Sequence, residues 1–196
     1  VILSSTELTD GELLLRPLQR TDREALFEAV TESVAQISPW LPWCHTGYAI
    51  AETDAFIESC ITAWAQQTHF PFAIFDARTG QYFGGTGVNH IERMNRLGNV
   101  GYWIRTSATR RGMASKAVRL VARFAFETVQ LVRLEIVVRP ENSGSRRVAE
   151  KAGAKFETMA RNRIFQHGKT YDAALYSLIP GDLLEPGTGG PQSPGG

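Results

Sequence analysis

Apolar residues along this chain alternate between two spacings, and the changes divide it into elements. "ELLLRPL" (Glu12–Leu18) reads as a first strand. "TDREALFEAV" (Thr21–Val30) places Leu26, Phe27 and Val30 at helical intervals, with Thr21 and Glu24 in capping-box spacing. "ISPWLPW" (Ile37–Trp43) interrupts that pattern with prolines and reads as a loop or short helix. Helical spacing returns over Glu52–Gln67 through Phe56, Ile57, Cys60, Ile61 and Trp64. Three strand-like runs follow: Phe70–Asp76, Tyr82–Glu92 and Gly98–Arg105. Their short links, "ARTGQ" and "RMNRLG", favour antiparallel neighbours. An amphipathic helix is predicted over Met113–Val129, with Lys116, Arg119, Arg123 and Glu127 on one face and Val118, Val121, Phe124 and Ala125 on the other. The strand Arg133–Arg139 comes next, then a short helix "SGSRRVAEKAG" whose Gly153 suits a C-cap. "AKFETMAR" and "TYDAALYSLI" read as a final pair of strands. Beyond Pro180 glycine and proline dominate, so 1–180 is expected to be one folded domain and 181–196 a flexible tail. The order of elements is that of a single α/β (α+β) domain.

Composition changes this picture little. The chain has 196 residues, 43% hydrophobic and 21% charged, which is ordinary for a globular domain. A net charge of +1 lacks the basic excess of nucleic-acid binders, so nucleic acid is not expected as the primary partner. Cys44 and Cys60 fit neither CxxC nor a Cys/His metal spacing. They read as reduced thiols of a cytoplasmic protein, with no metal. Cys44 and His45 are adjacent, but chain neighbours rarely face each other as nucleophile and base, and a structural reading is preferred. Neither a signal peptide nor a bilayer-spanning stretch is read from the sequence.

The chemistry is expected at "TSATRRGMASKAV" (Thr106–Val118). A helix start leaves four main-chain N–H groups without partners. Here small residues, Gly112, Ala114 and Ser115, leave room for a ligand to approach, and Arg110 and Arg111 add positive charge. An anion there gains about 0.3–1 kcal/mol from the helix dipole alone, and a phosphate or pyrophosphate suits the arrangement. A basic surface turn before an ordinary helix is the competing reading. No Walker motif is present, and "GGTG" (Gly84–Gly87) lies inside a strand, so it is not a dinucleotide fingerprint.

Taken together, "GYWIRTSATRRGMASKAV" and "LEIVVRPENSGSRRVAEKAGAKFE" resemble the GNAT acyltransferase superfamily, with the closer likeness to its ribosomal-protein serine/alanine N-terminal acetyltransferases. The signature is a strand, an [RQ]xxGx[GA] loop, a helix, a strand, and N-x-x-S opening a short helix. Gly112 and Ala114 match the loop; Asn142 and Ser145 match N-x-x-S. "SPWLPW" and "GYW" resemble the substrate-side segment and central strand of that branch, and the likeness covers residues 10–178. Thr109 departs from the usual Arg or Gln, and Asn99 stands where relatives carry Glu.

The resemblance implies a mixed central sheet of about seven strands, splayed at the middle and flanked by helices. It implies acetyl-CoA (coenzyme A) held between strands Gly98–Arg105 and Arg133–Arg139. Its pantetheine arm would bond along Trp103, Ile104 and Arg105, and its pyrophosphate would lie at Arg110, Arg111, Gly112, Met113, Ala114 and Ser115. Arg146 would meet the 3′-phosphate. Ser145 would protonate the leaving thiolate, Asn142 would fix a cofactor amide or a water, and His90 or Glu157 would receive the amine's proton. Trp40, Trp43, Tyr102 and Glu157 would line the acceptor side. The implied activity is acetyl transfer to a primary amine, foremost a peptide or protein N-terminus such as that of a ribosomal protein. Alternatives are a small-molecule amine (amino acid, polyamine or antibiotic) as acceptor, or a non-catalytic acyl-CoA-binding regulatory module. Relatives pair, so a homodimer is also implied.

Overall fold

The protein is represented by a computed structural model in which residues 2–183 are described. One sheet contains β1 (Leu8–Thr9), β2 (Leu13–Arg16), β3 (Phe70–Asp76), β4 (Tyr82–Glu92), β5 (Leu97–Ile104), β6 (Arg133–Val138), β7 (Lys155–Gln166) and β8 (Lys169–Leu178). Its order is β1-β2-β3-β4-β5-β6-β8-β7. The helices are α1 (Arg23–Ile37), α2 (Ile50–Gln66), α3 (Met113–Glu127) and α4 (Ser143–Ala152). The strand beyond the seven expected is β1, whose two residues are too few to leave a periodic signal.

Strand alternation sorts the apolar residues into two clusters, one on each face. Leu13, Leu15, Phe72, Ile74, Phe83 and Val100 join the α3 side of the core, with Val118, Val121, Phe124 and Ala125 of that helix. Ala73, Phe75, Tyr82 and Trp103 join the other cluster, with Leu26, Val30 and Ile37 of α1 and Ile57 and Cys60 of α2. The sheet is thus covered on both faces, as its dense strands β3 and β4 require.

Several boundaries differ from expectation for identifiable reasons. Thr21 does not cap α1. A 3-10 turn, Arg20–Asp22, precedes the helix, and buried Asp22 accepts the Gln19 N–H at 2.8 Å and two bonds from Arg16 at 2.8 and 2.7 Å. The helix then continues to Ile37 through polar residues whose periodicity is weak. β7 runs to Gln166 and turns into β8 through His167 and Gly168, at φ 50° and 72°, a type I′ signature. Its length was hidden because it is an edge strand, mostly exposed, with a register shift between Ala160 and Ile164. The expected tail overlaps a 3-10 turn at Pro180–Leu183, where Asp182 meets Lys155 at 2.9 Å. Its remaining residues lie outside the described ones.

The feature that positions a site is a break in the sheet. Every neighbouring pair is antiparallel except β5–β6, which is parallel and matched only at Leu97/Arg133, Gly98/Leu134 and Asn99/Glu135. Beyond Asn99, Val100–Ile104 and Ile136–Val138 run on without pairing each other.

Candidate active site

A cavity of about 470 Å³ opens where β5 and β6 part. Its lining passes from Ala114 and Ser145 on one face of the sheet to Ile37 and Trp40, at the end of α1, on the other. The direction of the main chain follows from two bonds. Arg105 N–H donates to Phe83 on the β4 side at 2.8 Å, and Arg96 C=O accepts Val132 N–H on the β6 side at 2.8 Å. A strand alternates its polar groups with a period of two, so Val100, Tyr102 and Ile104 turn theirs into the gap while Trp103 and Arg105 turn theirs toward β4. Of the expected Trp103–Arg105 line, Ile104 turns its main chain into the crevice, joined by Tyr102, and Trp103 lines the crevice while its main chain bonds toward β4. The Arg105 side chain is also committed elsewhere. It is buried, ion-paired with Glu28 at 2.6 Å and with Glu32, and ties β5 to α1.

At the start of α3, Gly112 takes φ 80°, a left-handed conformation that an L side chain rarely adopts. The first turn carries no acidic residue. Thr109, Arg110 and Ala114 line the cavity. The other loop residues do not. Arg111 lies over the Phe83 ring at 5.3 Å, Met113 is buried in the core, and Ser115 Oγ donates back to Gly112 C=O at 2.9 Å. Thr109 Oγ1 bonds to Thr106 C=O at 2.9 Å, so the unusual loop residue is satisfied locally.

Across the gap, Asn142 caps α4 by accepting Ser145 N–H at 3.0 Å, and both residues line the cavity. The Tyr102 hydroxyl donates to Ser145 C=O at 2.8 Å and lies 3.0 Å from Ser145 Oγ. Burial pushes the Tyr102 phenol above its usual range, so it remains a proton donor. Arg146 turns away, its Nε donating to Tyr176 at 3.0 Å, and Arg147 occupies the crevice wall instead.

A second cavity, about 640 Å³, shares Leu41, Gly101, Tyr102 and Trp103 with the first. Its floor includes Gly85, Gly87 and Gly101. Gly87 is required by close approach, since a Cβ there would lie 2.5 Å from Phe70 C=O. Trp43 lines this cavity, edge-on to Trp103 at 5.6 Å, whereas Trp40 lines the first. His90 also lines the second cavity, as does His69, whose imidazole is held below its ordinary range by burial and then by His90. Asn99 donates to Asn89 at 2.8 Å across the β4–β5 ladder. Glu157 lines neither cavity. Arg133 binds it at 2.8 and 2.7 Å and, with Ser177, holds its carboxyl down to about 2. Cys44 and His45 point apart: the thiol is buried near Val30, and the imidazole meets Glu52 at 2.9 Å.

The sequence reading missed Arg139, Arg147 and His69. Arg139 was accessible to it, because Arg133, Glu135, Val137 and Arg139 alternate with the core residues Leu134, Ile136 and Val138.

Residues 12–155 match the family model of the acetyltransferase (GNAT) domain. The ribosomal-protein-serine acetyltransferase of Escherichia coli (strain K12) is 28% identical over 177 residues, spanning 90% of this chain and 98% of its own. YdaF of Bacillus subtilis (strain 168) is 27% identical over 172 residues, spanning 85% and 91%. A solved structure from Vibrio cholerae has a TM-score of 0.82 at 27% identity, covering 91% of this chain and 100% of its own. Mycobacterium smegmatis RimJ, solved with CoA-disulfide, shares the fold at a TM-score of 0.80 and 24% identity, with coverage of 92% and 88%. The family match takes in both diverging strands, the α3 loop and all of α4, and the chain belongs to the GNAT acetyltransferase family.

Proposed function

We propose that this protein transfers the acetyl group of acetyl-CoA to an α-amine at a peptide or protein N-terminus, by direct attack. The observation that carries this reading is the stretch of β5 left unpaired with β6, whose Tyr102 meets Ser145 across the gap and which leads to the acid-free start of α3. The residues present suit the coenzyme: main-chain donors and Arg110 for the diphosphate, and the free edge of β5 for the amide-bearing pantetheine arm. Bound there, acetyl-CoA supplies an activated acyl carbon. The β5 N–H groups in the gap polarise the thioester carbonyl. The C–N bond to the amine would form as the C–S bond breaks, with Ser145 Oγ giving its proton to the leaving sulfur and recovering one from solvent. A protonated amine would give up two protons through the His90 and His69 side of the neighbouring cavity and solvent; one replaces the proton that Ser145 gives to the sulfur, so one is released net.

Among the described residues, neither cavity is lined by Asp or Glu. A weak base suits an amine of pKa about 8, which costs about 1–1.5 kcal/mol to neutralise at pH 7, better than a lysine, which costs about 4–5. The ribosomal-protein acetyltransferase among its relatives supports a peptide acceptor. Two free cysteines support a cytoplasmic setting. Matched peptides, one with a free α-amine and one N-blocked but bearing lysine, are incubated with acetyl-CoA and weighed by mass spectrometry. The α-amine peptide is expected to gain the acetyl group; preference for the lysine peptide would overturn the proposal.

A further inference from the structure

Arg139 closes the end of β6 on the acceptor face of the sheet, in the wall of the crevice. Its guanidinium is clamped between two rings, 3.9 Å from the centre of Tyr171 and 5.4 Å from that of Trp40. A guanidinium held this way is fixed in direction while its N–H edge stays available. Its bonds are few. Nη1 reaches Pro39 C=O only at 3.5 Å, and Nε is buried without a hydrogen-bond partner. Glu141 lies 3.4 Å from Nε, outside hydrogen-bonding geometry, on a carboxylate that is 62% exposed and free to swing into solvent. Arg110 and Arg147 are the other charged groups on this lining, which holds no described carboxylate; Glu141, the ion-pair partner of Arg139, lies outside it.

Resting on the proposed acetyl transfer, we infer that Arg139 selects acceptors carrying a carboxylate close to the reacting amine. Arg is suited to this because its planar fork meets a carboxylate through two parallel bonds. The carboxylate has two sources: an acidic side chain in the first residues of a peptide, or the α-carboxyl of a free amino acid. Polyamines and basic N-termini are disfavoured by the same group.

The test uses the full chain saturated with coenzyme A or acetyl-CoA. Acceptors are N-terminal-serine peptides with Asp, Ala or Lys at the second position, and free serine and aspartate. Binding is read from tryptophan fluorescence and transfer from mass spectrometry. The Asp peptide, or a free amino acid where the α-carboxyl is the ligand, is expected to bind at least about tenfold more tightly than the Lys peptide. R139Q should reduce that ratio to about one, and R139K, which keeps the charge and loses the fork, should retain part of it. Coenzyme A affinity should be unchanged in both. Charge-blind binding by the wild type, or an equal loss for every acceptor in R139K, overturns the inference. Charge-selective binding without transfer to any amine sinks the catalytic proposal and leaves Arg139's role standing.

Discussion

Tyr102 and Ser145 are bonded across the gap, and a double-mutant cycle tests whether they act as one unit. Ser145→Ala removes the hydroxyl assigned to the leaving sulfur; Tyr102→Phe removes the hydroxyl that lies 2.8 Å from Ser145 C=O and 3.0 Å from its Oγ. A positioned proton donor contributes about 10²–10⁴-fold, so S145A should lower kcat by at least about a hundredfold. Y102F deletes a buried hydrogen bond worth about 1 kcal/mol of stability and loosens Ser145, which should lower kcat by about tenfold. If Tyr102 acts only by holding Ser145, Y102F has no further effect on kcat in the S145A background. The coupling energy is then the whole single-mutant loss, about 1.4 kcal/mol. The assay is thiol release from saturating acetyl-CoA with a saturating peptide, alongside a melting curve for each variant. Strictly additive losses would show Tyr102 to act independently of Ser145. Changes below twofold in both single variants would refute the assignment of the pair to catalysis.

Three further outcomes follow from the same geometry. Arg110→Gln should raise the KM for acetyl-CoA by about tenfold, the value of one charge-assisted phosphate contact. It should leave an acetyl-pantetheine donor, which lacks the diphosphate, unaffected in a steady-state comparison. Gly87→Ala places a Cβ 2.5 Å from Phe70 C=O and 2.8 Å from Pro71 Cα, both main chain, so it should destabilise by about 1–3 kcal/mol in denaturant titration. Glu157 has a folded pKa of about 2 against an ordinary value of about 4.3, so its stabilisation is complete above pH 4.3 and is lost as pH falls through 2. E157Q should therefore be less stable than wild type at pH 7, with a flatter stability profile between pH 5 and 2. It should show unchanged kcat, and a loss of activity at constant stability would return Glu157 to the site.

What could be read in the sequence was what local chemistry controls. Gly112 at the head of α3 and Gly153 at the foot of α4 carry the positive φ values their positions imply. Asn142 and Ser145 lie three residues apart because one caps the other's N–H. Alternation sufficed for β6, whose two faces differ, and dense apolar runs bounded by turn residues sufficed for β3 and β4. Periodicity failed for β7, where an exposed edge offers no alternation to detect, and for α1, whose second half is held by tertiary bonds. Side-chain direction was harder still. Arg146 and Arg147 are indistinguishable as text, and only the phase of α4 against Tyr176 decides that the second one enters the crevice.

The separation of roles along β5 follows from one physical rule. Val100, Tyr102 and Ile104 project their side chains toward α3 and α4 and turn their main chain into the gap, whereas Trp103 projects toward α1 and α2. One strand can therefore present polar backbone to a cofactor, a phenol to Ser145 and an indole to the acceptor face without any of them competing for space. The arrangement depends on register. A one-residue slip of β5 against β4 would exchange the two sets, sending Tyr102 to the acceptor face and pointing Trp103 into α4. Gly84, where a Cβ would lie 2.2 Å from Trp103 C=O, and Arg105, anchored on Glu28 and Glu32, each oppose such a slip. Arg105, outside the crevice, thus acts on the site through alignment: R105M should weaken Ser145-dependent turnover and stability together, whereas a residue touching the cofactor should change turnover or affinity alone. Loss of kcat in R105M with an unchanged melting temperature would contradict this.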